Sequence, residues 1–171
     1  FDAFVPLIFN AGAEMSGFEL DIISNPSDGV DLVLGVSYLD AEITNLPTWL
    51  YPGGVSKSVV SPELALNAIA RKSWIRQSGG MVTAQVDMSY KDDQVFNIVV
   101  SPVVEEDSYA VFNTRITYTE PNDKYEVSFF IKNLTDTKYR KYAFDTSAYF
   151  GATEDVWGLP RWAGINLLVR F

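Results

Sequence analysis

The sequence predicts an all-β protein: an antiparallel meander of about seven or eight strands, of the kind that crosses a membrane as a barrel. Three observations predict it. Apolar and polar side chains alternate with a period of two in segments of about ten residues. The connections between these segments alternate strictly between short and long. Aromatic residues gather at both ends of the apolar rows. Of the 171 residues, 47% are hydrophobic and 14% aromatic, yet no stretch approaches the roughly 18 uninterrupted apolar residues of a membrane-crossing helix.

The alternation is clearest over 81–91. Val82, Ala84, Val86, Met88 and Tyr90 share one face; Thr83, Gln85, Asp87, Ser89 and Lys91 share the other. At the C-terminus Ala163, Ile165, Leu167, Val169 and Phe171 oppose Gly164, Asn166 and Arg170, with Leu168 breaking the pattern. Over 110–118, Phe112, Thr114, Ile116 and Tyr118 oppose Asn113, Arg115 and Thr117. Tyr125, Val127, Phe129 and Ile131 oppose Glu126, Ser128 and Lys132. Near the start Phe18, Leu20 and Ile22 oppose Glu19 and Asp21, and Val30, Leu32, Leu34, Val36 and Tyr38 form another row. A weaker strand is expected from about 60 to 71, with Leu64, Leu66 and Ala68 on its apolar side. Residues 4–9 supply an eighth strand only against Pro6, which removes a ladder donor, and they read as the end of a loop.

Short turns are expected at Asn25-Pro26-Ser27-Asp28-Gly29, at Glu120-Pro121-Asn122-Asp123-Lys124 and around 73–80. Long connections fall at about 42–59, 92–107 and 136–159. Short turns at one end and long loops at the other are the pattern of transmembrane barrels, whose long loops are extracellular. Tyr118, Tyr125, Trp74 and Phe171 then lie near the short-turn end, and Tyr38 and Tyr90 near the long-loop end, as two interfacial girdles. Taken singly, each aromatic is equally a strand former.

Composition removes whole classes of function. There is no His, so His-based hydrolysis and His-ligated metal centres are excluded. The net charge of −9 excludes a nucleic-acid partner and a polybasic membrane anchor. Cys is absent, and a barrel that closes its own hydrogen-bond ladder does not require disulfides. No Gly-rich phosphate loop or specific carboxylate pair appears, so no catalytic residue and no cofactor is expected.

Several segments resemble one family, the TonB-dependent receptors of the bacterial outer membrane. They are NAGAEMSGFELD (residues 10–21), GVSYLDAEI (35–43), VFNTRITY (111–118), YEVSFFIKNLTDTKY (125–139) and LPRWAGINLLVRF (159–171), in the order of that family's closing strands. Lys132-Asn133-Leu134-Thr135-Asp136, a late Pro-Arg and the terminal Phe are its most specific features. The resemblance covers nearly the whole chain. It implies that residues 1–171 are the C-terminal segment of a large barrel of about 22 strands, without the plug domain, the TonB-contact segment and roughly the first fifteen strands. Phe1-Asp2-Ala3-Phe4 fits a cut in mid-chain. The implied activity is uptake of a scarce nutrient, such as a ferric siderophore, a corrinoid or a glycan. The implied partners are TonB, the plug and remaining barrel, outer-membrane lipid, the barrel-assembly machinery and a small nutrient ligand.

Candidate site residues follow from these readings. Ile165, Leu167, Val169 and Phe171 are expected to carry the barrel-assembly signal, or merely to face lipid. Glu19, Asp21, Gln85, Asp87, Asn113, Arg115, Lys132, Asn166 and Arg170 are expected to face the lumen, as plug or solute contacts or as a plain solvated wall. Arg115 is the best candidate for a cross-strand ion pair, worth about 0.2–1 kcal/mol. Trp49, Tyr51, Tyr149, Phe150 and Trp157 sit in long loops, where they either meet a ligand or pack loop on loop. Glu105, Glu106 and Asp107 could hold a divalent cation, although a solvated charge run is the simpler reading. Rival functions are a small complete barrel with a structural or porin-like role, an outer-membrane enzyme, and a soluble lipocalin-like binder. The last needs its apolar rows inside.

Overall fold

The computed structural model describes residues 8–49, 51–98 and 101–171; the expectation for residues 4–7 lies outside them. In chain order the elements are β1 (Gly12–Ser27), β2 (Val30–Thr44), β3 (Ser56–Lys57), β4 (Leu64–Ile75), β5 (Met81–Lys91), β6 (Gln94–Val95), β7 (Glu105–Glu106), β8 (Tyr109–Thr119), β9 (Tyr125–Lys132), β10 (Arg140–Asp145), α1 (Ser147–Phe150), β11 (Thr153–Trp157) and β12 (Trp162–Val169). The seven long strands form one antiparallel meander, β1-β2-β4-β5-β8-β9-β12, with β3 pairing the upper end of β2. Two further hairpins, β6-β7 and β10-β11, lie in the long connections. Among the described residues β1 and β12 do not pair, so the sheet is open.

The register turns the sequence alternation into continuous rows. Leu34 lies opposite Ala68, Ala68 opposite Met88 and Met88 opposite Phe112. Ala84, Ile116, Phe129 and Ile165 form a second such row, and Val82, Tyr118, Val127 and Leu167 a third. In the body of the sheet the rows of this parity are apolar from strand to strand, apart from Ser24, Lys72 and Thr114. A shift of one residue in any pair would move that strand's apolar set to the other face, so the pattern fixes the pairing.

The apolar face of this sheet is uncovered. Ile116 is 54% exposed, Phe129 47%, Ile165 74% and Leu167 65%. Leu46, Tyr51, Val95, Phe96, Val104 and Ala143 are the buried apolar residues among those described, and all six lie in the long connections. Leaving one large side chain in water forgoes about 1.5–3 kcal/mol. Half a dozen of them equal the entire stability of an ordinary domain, about 5–15 kcal/mol. The apolar face therefore requires a non-aqueous covering. No described helix is long and apolar enough to cross a membrane, which leaves crossing by strands open.

Four local details differ from expectation. β1 runs through Asn25 and Pro26 to Ser27 across an irregularity in pairing, so the turn is Asp28-Gly29 alone, with Gly29 at φ 67. β4 starts at Leu64, not 60, and continues to Ile75. Val60 holds a left-handed φ of 55 and Pro62 has no N–H, so pairing begins only beyond them. β1 and β2 extend as paired arms up to Gly12 and Thr44. The last strand ends at Val169, leaving Phe171 outside the ladder and fully exposed.

The polar face is knitted by side chains along one row. Asp31, Arg71, Gln85, Arg115, Phe130 and Gly164 follow one another across six strands. Arg71 approaches Asp31 at 3.8 Å and its Nε donates to Gln85 Oε1 at 3.0 Å. Gln85 in turn donates to Asp87 at 2.6 Å. The expected ion pair of Arg115 does not form. Its guanidinium lies 5.6 Å from the centroid of the Phe130 ring, which its cross-strand register brings beneath it. Phe130 meets Trp162 edge-on at 5.1 Å. This ring lies over Gly164, where an added Cβ would stand 2.6 Å from Phe130 Cζ. Gly164→Val is therefore expected to displace the ring and destabilise the barrel by about 1–3 kcal/mol. Urea unfolding in lipid, followed by tryptophan emission, measures this; an unchanged midpoint would contradict the stacked row.

Candidate functional site

The three long connections are not structureless loops but one packed cap. Its centre is a small core of Phe96, Val104 and Ala143. Ala143 comes from β10, and its neighbours Tyr142 and Phe144 point the other way and remain about two-fifths exposed. The 45–63 connection joins this core through backbone and hydroxyl groups. Val60 N–H donates to Val95 O at 2.9 Å, and Ser56 Oγ donates to Ile98 O at 2.8 Å.

Arg140 is the electrostatic hub. Its Nε donates to Glu106 Oε2 at 2.8 Å and one terminal nitrogen to Val103 O at 2.6 Å. The same nitrogen lies 3.4 Å from Asp155, and the other terminal nitrogen donates to Glu105 O. Both Arg140 and Glu106 are largely buried, with side chains 16% and 11% exposed. Such a fork needs guanidinium geometry, which an ammonium does not supply. The hydrogen bond that Arg140 donates to Glu106 leads the causes that raise the Arg140 pKa, against desolvation. The hydrogen bond to Asp93, 2.9 Å away, likewise raises that of Lys57.

A second device closes the base of the longest connection. Asn133, 3% exposed, takes a left-handed φ of 50, a conformation Asn tolerates better than most residues. Its backbone N–H donates to Asn113 Oδ1 at 3.0 Å. Its amide donates to Thr137 O at 2.9 Å and Leu159 O at 3.0 Å, and its Oδ1 accepts from Thr137 N–H at 2.9 Å. Asp136 then accepts the N–H of Arg161 at 2.8 Å. The Asn133-Leu134-Thr135-Asp136 segment thus clips the outgoing and returning arms of the 133–161 connection to the end of β8. Sequence reading singled out this segment without seeing its role.

Two adjoining hollows open in the cap. One, of about 630 Å³, is lined by Pro102, Tyr109, Thr137, Lys138 and Arg140 among others; the second, of about 470 Å³, by Lys57, Asp93, Gln94 and Val95. They share Glu105, Glu106, Asp107 and Ser108. Tyr109 and Tyr139 stack at 4.5 Å beside the first. Gln94 was not among the sequence-based candidates; only its place opposite Glu106 in the β6-β7 hairpin brings it here.

The predicted residues distribute as follows. Glu19, Asp21, Gln85, Asp87, Asn113, Arg115, Lys132 and Asn166 all fall on the face opposite the apolar rows. Asn113 is engaged by the Asn133 clip, and Arg170 is drawn to the short turn, where it meets Asp123 at 2.6 Å. Trp49, Phe150 and Trp157 are exposed, at 71%, 81% and 55%. Tyr51 is buried in the cap, 6.4 Å from the Phe9 ring, and so packs loop on loop. Tyr149 lies in α1, its side chain outside the described set. Glu105, Glu106 and Asp107 form no cation site: among the described residues no cluster of three or more acidic, His or Cys ligands could hold a metal ion, and Glu106 is taken by Arg140.

No family model matches the chain. Its fold is that of part of several solved uptake receptors. Against the ferric yersiniabactin uptake receptor FyuA of Yersinia pestis the TM-score is 0.80 at 18% identity, over 93% of this chain and 24% of that one. The ferric preacinetobactin receptor BauA of Acinetobacter baumannii gives 0.70 at 20% identity, over 94% and 22%. The siderophore receptor PiuA of the same organism gives 0.65 at 18%, over 91% and 21%. The chain thus spans less than a quarter of the length of each.

Asn133→Ala is expected to free the 133–161 connection, leaving Lys138, Arg140 and Lys141 open to trypsin. Asn133→Gly keeps the left-handed backbone but loses the amide bonds, and is expected to be cleaved as readily. Limited proteolysis on intact cells reads this; resistance of both variants would show that the amide clip is dispensable.

Proposed function

We propose that this chain is the C-terminal segment of a TonB-dependent outer-membrane receptor that imports a ferric siderophore. The observation that carries the reading is the combination of a sheet without its own core and a packed cap over one end. Lipid covers the apolar rows, and the plug and the remaining strands complete the barrel. The open edges at β1 and β12 need strands beyond the described meander, which favours a large barrel over a complete eight-stranded one. The cap lies outside the cell, as long barrel loops do. Ile165, Leu167, Val169 and Phe171 present a C-terminal signal to the barrel-assembly machinery, consistent with the exposure of Phe171 beyond the ladder. The three solved receptors support a ferric chelate over a corrinoid or glycan as the ligand.

Two measurements test this. Val86→Arg places a charge in the middle of the apolar face and is expected to destabilise the barrel in lipid by about 2–4 kcal/mol. Thr83→Arg, on the other face, is expected to cost far less; equal effects would refute a lipid covering. Deleting the gene should abolish growth on one class of ferric chelate as sole iron source, and loss of TonB should do the same. Undiminished iron acquisition, with a defect on cobalamin or oligosaccharide instead, would transfer the reading to another nutrient.

A further inference from the structure

The charge of this chain is unevenly placed. Residues 12–17, 39–63, 92–108 and 133–161, the upper strand ends and the three connections, hold 13 of the 22 acids and 5 of the 13 bases, a net −8. The rest holds 9 acids and 8 bases, a net −1. Two of the five bases in the cap are consumed by partners inside it: Lys57 by Asp93, and Arg140 by Glu106 and Asp155. Glu105 and Asp107 are exposed and enter no ion pair among the described residues. Both line the hollow of about 470 Å³, and Lys138 stands across the adjoining one.

A second, independent feature of the same hollow points to a ligand. Gln94 lines it and is only 4% exposed, yet its Oε1 is buried with no hydrogen-bond partner. An unpaired buried acceptor costs about 1–3 kcal/mol, and only a donor can relieve it. An acceptor without a donor, beside the carboxylates of Glu105 and Asp107 in a lining whose one ammonium, Lys57, is paired with Asp93 and feels Glu105 only at longer range, describes a receptacle for a protonated amine. A bare metal ion does not fit, since no described group of three ligands converges.

We infer that this hollow receives the ammonium group of the imported chelate, so that the receptor selects amine-bearing ferric chelates over neutral or anionic ones. The inference rests on the chelate-receptor reading above. The ammonium donates to Gln94 Oε1, and Glu105 and Asp107 provide its countercharge. The acidic cap raises the local concentration of cationic chelates and lowers that of anionic ones, an effect that weakens with salt.

The test uses the complete receptor in detergent and one chelate in two forms: a linear ferric trihydroxamate with a terminal primary amine, and the same molecule N-acetylated. The amine form should bind about ten-fold more tightly or better at low salt, and the ratio should shrink as salt rises. Gln94→Leu and the double variant E105Q/D107N should each bring the ratio towards one, by weakening the amine form more than the acetylated form. Equal affinities in the wild-type protein, or a preference for the acetylated form, would overturn the inference and leave the receptor reading standing. Binding of neither form, together with normal binding of cobalamin or an oligosaccharide, would bring down the receptor reading and this inference with it.

Discussion

The structure depends on one constraint: the long sheet has no core of its own, so its apolar rows need a solvent other than water. In a soluble β-protein the rows would meet a second sheet or a helix. Here Ile116, Phe129 and Ile165 have nothing above them, and the buried apolar side chains all lie in the cap. Between the two open edges the strands nevertheless pair their backbone groups along the ladder, which is the condition for entering hydrocarbon. Order in the sheet comes from hydrogen bonding and from the match of row to row, and not from packing in depth.

That division of labour explains the two kinds of fastening. Where the wall is thin, stabilisation has to act sideways, from strand to strand. Arg71, Gln85, Arg115 and Phe130 do this on the polar face, by ion pair, amide and cation–π contact in turn. Where the chain leaves the sheet it must pack on itself, and there a small apolar core, a buried guanidinium fork and the Asn133 clip take over. The cap is consequently a preformed surface, whose hollows need little ordering when a ligand arrives.

Legibility in the sequence followed the same division. β5 and β9 occupy the residues their alternation marked, because a sheet with one apolar and one polar face writes its register directly into a period of two. The start of β4 was misplaced because alternation continues through Val60 and Pro62, whose backbone cannot pair. Arg115 was assigned an acidic partner because facing residues were judged by charge alone; register places an aromatic ring within reach instead. The cap was the least legible part. Several of its contacts join residues 34 to 42 positions apart, as between Arg140 and Glu106 or Ser56 and Ile98, and no local period encodes them. For the same reason the sequence left Tyr51 open between ligand contact and loop packing and gave no signal for Gln94.

The distribution of charge follows from the same constraint and completes it. Hydrocarbon disfavours charge on the outward rows, which carry only Lys72 outside the cap, and the polar face balances its acids and bases across neighbouring strands, so that just over half of the chain is nearly neutral. Only the cap is free to carry an excess, because water and salt screen it. An excess of eight negative charges, held in place by a rigid core that uses its best cation internally, is not required by folding, since uncompensated carboxylates repel one another. A surface that accepts that repulsion, and leaves the buried Gln94 oxygen without a donor besides, is built for something positive to arrive.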